Sequence, residues 1–149
     1  MKFLCDRMLG TLAKWLRIYG FDTFYATDEM EDDELIEIAK NEDRLLITRD
    51  KELAQISRRE NIKVIEIADI DIDNQLKQVL NDFKIDKNKI LTRCLICNSL
   101  LDNIEKKKVK SKIPEGAFQL NEKFWICKKC DKIYWKGSHY ENMLEKIDL

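Results

Sequence analysis

The chain has 149 residues and a formal net charge of −1, which suits one ordinary domain or a small α/β domain joined to a second module. It holds no leader-peptide pattern and no apolar run long enough to span a bilayer, so we expect a cytoplasmic protein with no membrane partner. Neither internal repeats nor low-complexity segments interrupt the sequence.

The first element is a short apolar run, residues 1–6, that ends in the carboxylate of Asp6. Such a run, when a helical pattern follows it, is typical of a buried parallel strand. Apolar residues then recur at helical spacing from Met8 to Tyr19, and Gly20 is placed to end this helix. The sequence therefore opens with a strand and a helix.

The same alternation continues through the first two thirds of the chain. We expect further strands over residues 22–26, 44–48 and 63–68, each followed by a helix, with the last helix near 73–83. Strands that alternate with helices through short connections require right-handed crossovers and a mostly parallel sheet. The predicted fold class of this part is α/β.

Aspartates stand where these strands end or where the next helix begins. They are Asp6, Asp50, one of Asp69 and Asp71, and one of Asp28 and Asp32, which we expect to cap the second helix. Each is a good helix N-cap on its own, but the carboxyl ends of parallel strands share the sheet edge where α/β proteins bind ligands. Clustered carboxylates repel one another and recruit a cation. All-oxygen ligands suit Mg²⁺ or Mn²⁺, ions that support phosphodiester hydrolysis.

Two groups of basic residues are placed to contact phosphates. Arg7, Lys14 and Arg17 share one stripe of the first helix, and Lys107 and Lys108 belong to a lysine-rich stretch near the middle of the second half. Acidic residues are in excess before position 90 and basic residues after it, as suits an enzyme that acts on nucleic acid. Ordinary solvated surfaces give the same pattern, and that alternative stays open.

Four of the five cysteines form two C-x-x-C pairs. They are Cys94 with Cys97 and Cys127 with Cys130. Each pair places two thiolates on one tight turn, which is typical of a tetrahedral structural zinc site, and paired cysteines in a cytosolic protein are more often metal ligands than disulfides. We therefore expect an α/β domain over residues 1–88 and a small zinc ribbon with a C-terminal helix over 89–149, with a long hairpin between the two pairs.

A resemblance to a known family rests on four stretches, which read FLCDRMLGTLAKWLRIYGFDT, DDELIEIAKNEDRLLITRD, TRCLICNSLL and FWICKKCDKIYWKGSHY. Together they resemble the PIN-like ribonuclease domain with an appended zinc ribbon, the family named for the C-terminal RNase domain of Mut exoribonuclease-like proteins. The resemblance covers about residues 2–145. It implies a three-layer PIN-like fold and a metal-dependent ribonuclease.

The resemblance also implies that aspartates hold the catalytic Mg²⁺ or Mn²⁺. The matched positions are Asp6, Asp50 and Asp32 or its neighbour Asp33, and the fourth acid of the family has no clean match, with Asp69 and Asp71 as the candidates. Arg7 and Arg49 each stand beside a matched aspartate, where they would contact the scissile phosphate or pair with the acids. No role follows for the one histidine, His139.

The leading hypothesis is a ribonuclease, endonucleolytic and dependent on Mg²⁺ or Mn²⁺, whose zinc ribbon helps to bind RNA. One alternative is a catalytically silent RNA-binding or ribosome-associated module. A second alternative is a toxin-like nuclease controlled by a regulatory protein partner.

Overall fold

The structure is a computed structural model that describes residues 1–147, without the side chains of His139, Met143, Leu144, Lys146 and Ile147. Its elements in chain order are β1 (Lys2–Cys5), α1 (Gly10–Ile18), β2 (Asp22–Tyr25), α2 (Asp32–Asn41), β3 (Leu45–Thr48), α3 (Lys51–Arg59), β4 (Val64–Glu66), α4 (Ile72–Leu80), β5 (Asp102–Ile104), α5 (Glu115–Leu120), β6 (Phe124–Cys127), β7 (Lys132–Tyr134) and α6 (Ser138–Ile147). None of the described helices is long and apolar enough to cross a membrane.

The first four strands form a parallel sheet in the order β2-β1-β3-β4. Cys5 at the end of β1 pairs with Tyr25 on one side and with Ile47 on the other, so the three neighbouring strands end at a common edge. The strand order reverses between β1 and β3, and such a switch point is where open α/β sheets bind ligands. The α/β class predicted from the sequence is confirmed.

Two hydrophobic cores cover the two faces of this sheet. Phe3 and Cys5 of β1 pack with α1 and α4 on one face, whereas Leu4 packs with α2 and α3 on the other. All four residues of β3 are buried, which is why its sequence, LLIT, shows no polar alternation. The result is three layers, helix on sheet on helix.

Several turns follow the sequence signals. Gly20 ends α1 with φ of 92°, and a Cβ atom there would lie 2.3 Å from the carbonyl oxygen of Lys89, so only glycine fits. Asn61 takes a left-handed conformation after α3, with φ of 62°. Asp50 caps α3 as expected, since its Oδ1 accepts hydrogen bonds from the backbone N–H groups of Glu52 and Leu53.

Three helix boundaries differ from the prediction. Helix α1 begins at Gly10, so Arg7 lies in the turn before it and not on its polar stripe. The N-cap of α2 is Glu31, so neither Asp28 nor Asp32 caps that helix, and Asp32 is instead its first residue. Its carboxylate pairs with an arginine, which removes it from the capping position. Helix α4 ends at Leu80, and Phe83 reaches the core from the segment that follows, where its ring packs edge-on against Phe3.

The second half of the chain forms a three-stranded antiparallel sheet in the order β5-β6-β7. Strands β5 and β6 pair as a long hairpin, and the connection between them contains a 3-10 turn at Lys106–Lys108 and the short helix α5. Phe124 is 2% exposed and packs against Trp135, with 6.4 Å between ring centroids. The main buried cluster of this module consists of Cys94, Cys127 and Tyr134, with Trp125 packed against it.

The junction between the two halves is packed against the first core. Ile90 and Leu91 are 3% and 5% exposed, and the backbone N–H of Leu91 donates to the carbonyl oxygen of Ile18. The segment is thus an anchored connection rather than a free linker. The division at residues 88 and 89 stays a prediction.

Candidate active site and zinc centre

Asp6 is the buried carboxylate of the sheet edge, with 5% of its surface exposed. Its backbone N–H extends the pairing of β1 by donating to the carbonyl oxygen of Ile47. Its Oδ1 accepts a hydrogen bond from the backbone N–H of Arg7 at 2.7 Å, and its Oδ2 accepts one from the hydroxyl of Thr48 at 2.8 Å. Buried charges are costly unless they are paired, so the chain has built partners for this one.

Thr48 connects the ends of two strands. Besides donating to Asp6, its hydroxyl accepts a hydrogen bond from the backbone N–H of Asp50 at 3.0 Å. Asp50 itself is exposed, at the start of α3. A single hydroxyl therefore fixes the relative positions of β1 and the turn that carries Asp50, at the switch point of the sheet.

Arg7 lies between two of the predicted catalytic acids. Its Nη2 donates to Oδ1 of Asp32 at 2.9 Å, and its Nε is 3.6 Å from Oδ1 of Asp6. Its Nη1 also donates to the carbonyl oxygen of Met30, and the hydroxyl of Tyr25 donates to the carbonyl oxygen of Arg7 at 2.6 Å. The guanidinium is a cation that the protein supplies to its own carboxylates. Beside Asp32, Asp33 is exposed.

The two aspartates after β4 shape the turn into α4. Asp71 caps α4, because its Oδ2 accepts from the backbone N–H of Asn74 at 3.2 Å. Asp69 is exposed and accepts from the backbone N–H of Asp71 at 2.8 Å and from the side-chain amide of Asn74 at 2.9 Å. These two hydrogen bonds, and the nearby positive charge of Arg49, lower the pKa of Asp69. Arg49 is half-buried, and its Nε has no hydrogen-bond partner among the described residues.

The acidic residues suit Mg²⁺ or Mn²⁺ by chemistry, since carboxylate oxygens are the preferred ligands of both ions. Their spacing does not form a ready-made site. Among the described residues, only the four cysteines bring three or more potential ligands within 4.8 Å of one another. The guanidinium of Arg7 separates Asp6 from Asp32. A divalent ion that uses both carboxylates must therefore displace this arginine.

The cysteines fit zinc in both chemistry and geometry. Their sulfur atoms all lie within 4.8 Å of one another, and those of Cys97 and Cys127 are 3.5 Å apart. Four thiolates at about 2.3 Å from a tetrahedral Zn²⁺ lie roughly 3.8 Å apart. Cys94 and Cys127 are fully buried. The four cysteines could bind zinc, and a ligand set of four thiolates is typical of structural sites because it leaves no open position for a substrate.

The ionisation of one thiol in the cysteine cluster makes ionisation of its neighbours less favourable, and a bound cation would remove this effect. Burial would raise the pKa of Cys97, but hydrogen bonds from Ser99 and from the neighbouring thiols outweigh it and lower the pKa to about 6. Its partner Cys130 donates to that thiolate, which raises the pKa of Cys130 to about 12. A second thiolate beside that of Cys97 is unfavourable unless a divalent ion balances the added negative charge.

The predicted phosphate-binding residues lie in different environments. Lys14, Lys107 and Lys108 are exposed, and Lys107 pairs with Glu105 at 3.2 Å. Arg17 requires a correction, because it is only 6% exposed and its guanidinium donates to three backbone carbonyl groups inside the protein. A guanidinium that is buried and bonded to internal carbonyl groups is not placed to contact RNA phosphates.

The sequence patterns do not single out three side chains at these sites. Thr48 lies within a predicted strand, and the only signal for it is a hydroxyl two residues before a predicted acid. Tyr25 supports Arg7, and Gly10 leaves room for its ring, since a Cβ atom at Gly10 would be 2.9 Å from the Tyr25 hydroxyl. Tyr134 reaches the zinc centre, with its hydroxyl 3.2 Å from Sγ of Cys94.

Comparison with protein families gives a match over nearly the whole chain. The sequence model of the Mut7-C RNAse domain matches residues 1–147. The chain belongs to this family. No match was found among curated proteins or among solved structures. Membership of the Mut7-C RNase domain family suggests a function of ribonuclease type, with RNA as the substrate, and it agrees with the resemblance that the sequence motifs carry.

Proposed function

We propose that the protein is a metal-dependent ribonuclease, endonucleolytic in action, whose centre is Asp6. The observation that carries this proposal is a buried carboxylate at the switch point of a parallel sheet, held by the Thr48 hydroxyl and facing the guanidinium of Arg7. Burial of a carboxylate is costly, so a charge kept at this depth at the ligand-binding edge of the sheet supports a role in chemistry. The family supplies the reaction class.

Four aspartates would hold the catalytic ion or ions: Asp6, Asp32, Asp50 and Asp69. When bound, Mg²⁺ or Mn²⁺ supplies an activated water and offsets the negative charge of the phosphate. Asp6 would keep its position through Thr48, while Asp32 would exchange its bond to Arg7 for the ion. Asp33 and Asp71 are the alternatives to Asp32 and Asp69, and the capping bond of Asp71 makes it the weaker of the second pair.

The released guanidinium of Arg7 is well placed to bind the scissile phosphate, because its fork of donors matches phosphate oxygens. Arg49, whose Nε has no hydrogen-bond partner in the described part of the chain, would bind the same phosphate from the β3 side. Lys14, Lys107 and Lys108 would bind phosphates farther along the RNA, since all three are exposed. The zinc ribbon thus extends the basic surface available to RNA.

The proposal is tested by cleavage of end-labelled RNA, single-stranded and structured, with the zinc-loaded protein in Mg²⁺, in Mn²⁺ or without added divalent ions. We expect internal cuts that require one of the two ions. Products shortened one nucleotide at a time would overturn the endonucleolytic part alone. Cleavage that continues unchanged without divalent ions would overturn the metal requirement.

One observation favours a second function, an RNA-binding module without catalysis. Arg7 already supplies a cation to Asp6 and Asp32, and a protein that never releases it has no need of a metal ion there. Such a module would bind RNA equally well after magnesium is chelated and would never cut it. A nuclease that needs a protein partner to displace Arg7 would give the same result until the partner is added.

Four free cysteines form one cluster, which also fits a reducing compartment such as the cytosol. There thiols stay reduced and remain available as metal ligands. Measurement of zinc content in protein purified without added metal tests this directly. Protein recovered with disulfides between the pairs in place of zinc would contradict it.

A further inference from the structure

Arg17 joins the parallel sheet to the first zinc-binding turn. It lies in the last turn of α1, and its Nε donates to the carbonyl oxygen of Thr23 in β2 at 2.9 Å. Its Nη1 donates to the carbonyl oxygens of Leu95 and Ile96 at 2.8 and 3.1 Å. These two residues are the ones between the paired cysteines of the first C-x-x-C motif. One buried guanidinium therefore hydrogen-bonds both to the edge strand β2 and to the turn of the first C-x-x-C motif, which we call the zinc knuckle.

The charge of Arg17 has no carboxylate partner within ion-pair distance in the part of the chain that the structure describes. Burial lowers its pKa, and the ionised forms of Cys97, Cys94 and Asp22 nearby oppose that effect. Two of these groups are zinc ligands. A Zn²⁺ ion with four thiolates carries a formal charge of about −2, so a buried arginine beside it compensates part of that charge.

Asn98 adds a second connection at the same turn. It follows Cys97 directly and takes a left-handed conformation, with φ of 72°. Its side-chain oxygen accepts from the backbone N–H of Thr23 at 2.9 Å, and its Nδ2 donates to Oδ1 of Asp22 at 2.7 Å. Because β2 is an edge strand, its outward N–H groups need partners, and the zinc knuckle provides one.

We infer that zinc bound at the four-cysteine centre orders β2 and the end of α1 through the hydrogen bonds of Arg17 and Asn98. Arg17 also lies just outside the zinc ligands, where its positive charge compensates part of the negative charge of the zinc–thiolate group. The turn that presents Leu95, Ile96 and Asn98 keeps its shape only while zinc holds Cys94 and Cys97 together. Zinc occupancy in the second half of the chain therefore sets the order of the edge strand in the first half. The inference rests on zinc as the occupant of the cysteine centre and is independent of nuclease activity.

Tyr134 offers a matched comparison, because it also touches a zinc ligand but lies within the ribbon. Its hydroxyl is 3.2 Å from Sγ of Cys94 and accepts from the backbone N–H of Leu95 at 3.1 Å. Among the described residues, the Tyr134 hydroxyl forms no hydrogen bond with β2, whereas Arg17 does. Loss of the Tyr134 hydroxyl should weaken zinc binding without freeing the edge strand.

The experiment measures amide hydrogen exchange of the full chain, zinc-loaded and after removal of zinc by a strong chelator. We expect zinc removal to speed exchange at Thr23 and across residues 21–25 by about tenfold or more, as local opening of β2 becomes easier. Acceleration confined to residues beyond 92 would overturn the inference. So would a wild-type protein that takes up no zinc. The comparison of zinc-loaded with zinc-free wild-type protein needs no substitution, so it tests the inference even if the variants fold poorly.

Substitutions then distinguish the effect of Arg17 on the order of β2 from its effect on zinc affinity. Arg17→Met should weaken zinc affinity by about 10- to 100-fold, as outer-sphere substitutions do, and should speed exchange at Thr23 even with zinc bound. Arg17→Lys, which keeps the charge but not the fork, should fall between Arg17→Met and wild type. Tyr134→Phe should weaken zinc binding and leave Thr23 exchange in the loaded protein within about twofold of wild type. Unchanged zinc affinity in a folded Arg17→Met protein would contradict the role assigned to Arg17.

Discussion

The hydroxyl of Thr48 donates to Oδ2 of Asp6 at 2.8 Å while it accepts from the backbone N–H of Asp50 at 3.0 Å. These bonds join the ends of β1 and β3 where the strand order reverses. Asp6 and Thr48 are both buried, so the bond between them is shielded from water. The position of the central carboxylate depends on a neutral side chain from the adjacent strand.

Thr48→Val should therefore disturb the site more than its size suggests. It keeps the shape of the side chain but leaves Asp6 without one donor and the N–H of Asp50 without its acceptor, at a cost of about 1–3 kcal/mol in unfolding free energy. We expect RNA cleavage to fall by about tenfold or more. Thr48→Ser, which keeps the hydroxyl, is the control and should cleave nearly as wild type. Equal activity of the valine variant would show that the bond does not position Asp6.

Arg7→Met tests whether the internal guanidinium competes with a metal ion. Removal of the guanidinium between Asp6 and Asp32 should raise Mn²⁺ affinity by about tenfold, because a positive charge that would repel the ion at close range is lost. Cleavage should fall nonetheless, because the variant also loses its phosphate contact. Titration of Mn²⁺ by calorimetry measures the first effect. Arg58→Met, an exposed arginine on α3 paired with Glu66, should change neither quantity.

Stability at low pH should depend on Asp22. Burial would raise its pKa, but hydrogen bonds from Asn98 and Arg44, with the charges of Arg44 and Arg93, outweigh it and lower the pKa. A lowered pKa means that the ionised form stabilises the fold above about pH 4, the usual range of aspartate, and that this contribution is lost as the pH falls through the folded-state pKa.

Asp22→Asn should accordingly cost about 1 kcal/mol of unfolding free energy at pH 7, and the difference from wild type should shrink below about pH 4. Urea unfolding at a series of pH values measures this difference. Asp43→Asn, at an exposed left-handed position that asparagine also favours, is the matched control and should show no such trend. A constant difference from pH 7 to pH 3 would contradict the assignment.

Cys127→Ser, or removal of zinc, should unfold the ribbon. The module has a small core, and structural zinc supplies on the order of 10 kcal/mol to such folds. Near-ultraviolet circular dichroism should lose the signals of Trp125 and Trp135. Cys5→Ala removes a thiol that lies outside the cysteine centre and should keep the wild-type zinc content. Retention of tertiary signals without zinc would count against a structural role for the metal.

Much of the fold follows from local sequence patterns. The apolar runs that end in aspartate predict the parallel strands, and Gly20, Asp50 and Asn61 mark helix ends by backbone conformation or capping. The two C-x-x-C pairs predict the cysteine centre, because the spacing itself encodes the turn. These features depend on residues a few positions apart, which is the range over which sequence patterns are informative.

The environment of Arg17 could not be predicted in the same way. Its position on α1 marks a polar stripe, but the ribbon carbonyl groups that cover it come from residues 78 and 79 positions later in the chain. The pairing of Arg7 with Asp32 has the same origin, because it joins a loop after β1 to the start of α2. Periodicity shows which side chains share a face and carries no information about which distant segment covers that face.

The most direct test of the account is RNA cleavage by Asp6→Asn beside wild type and Asp43→Asn, all zinc-loaded and shown to be folded, in Mg²⁺ or Mn²⁺. Asp43 lies before β3, at the sheet edge opposite the proposed site, so its substitution matches the charge change without touching that site. We expect cleavage by wild type and Asp43→Asn and a loss of about a hundredfold or more in Asp6→Asn. Equal cleavage by all three proteins would contradict the claim that Asp6 is the centre of a metal-dependent ribonuclease site.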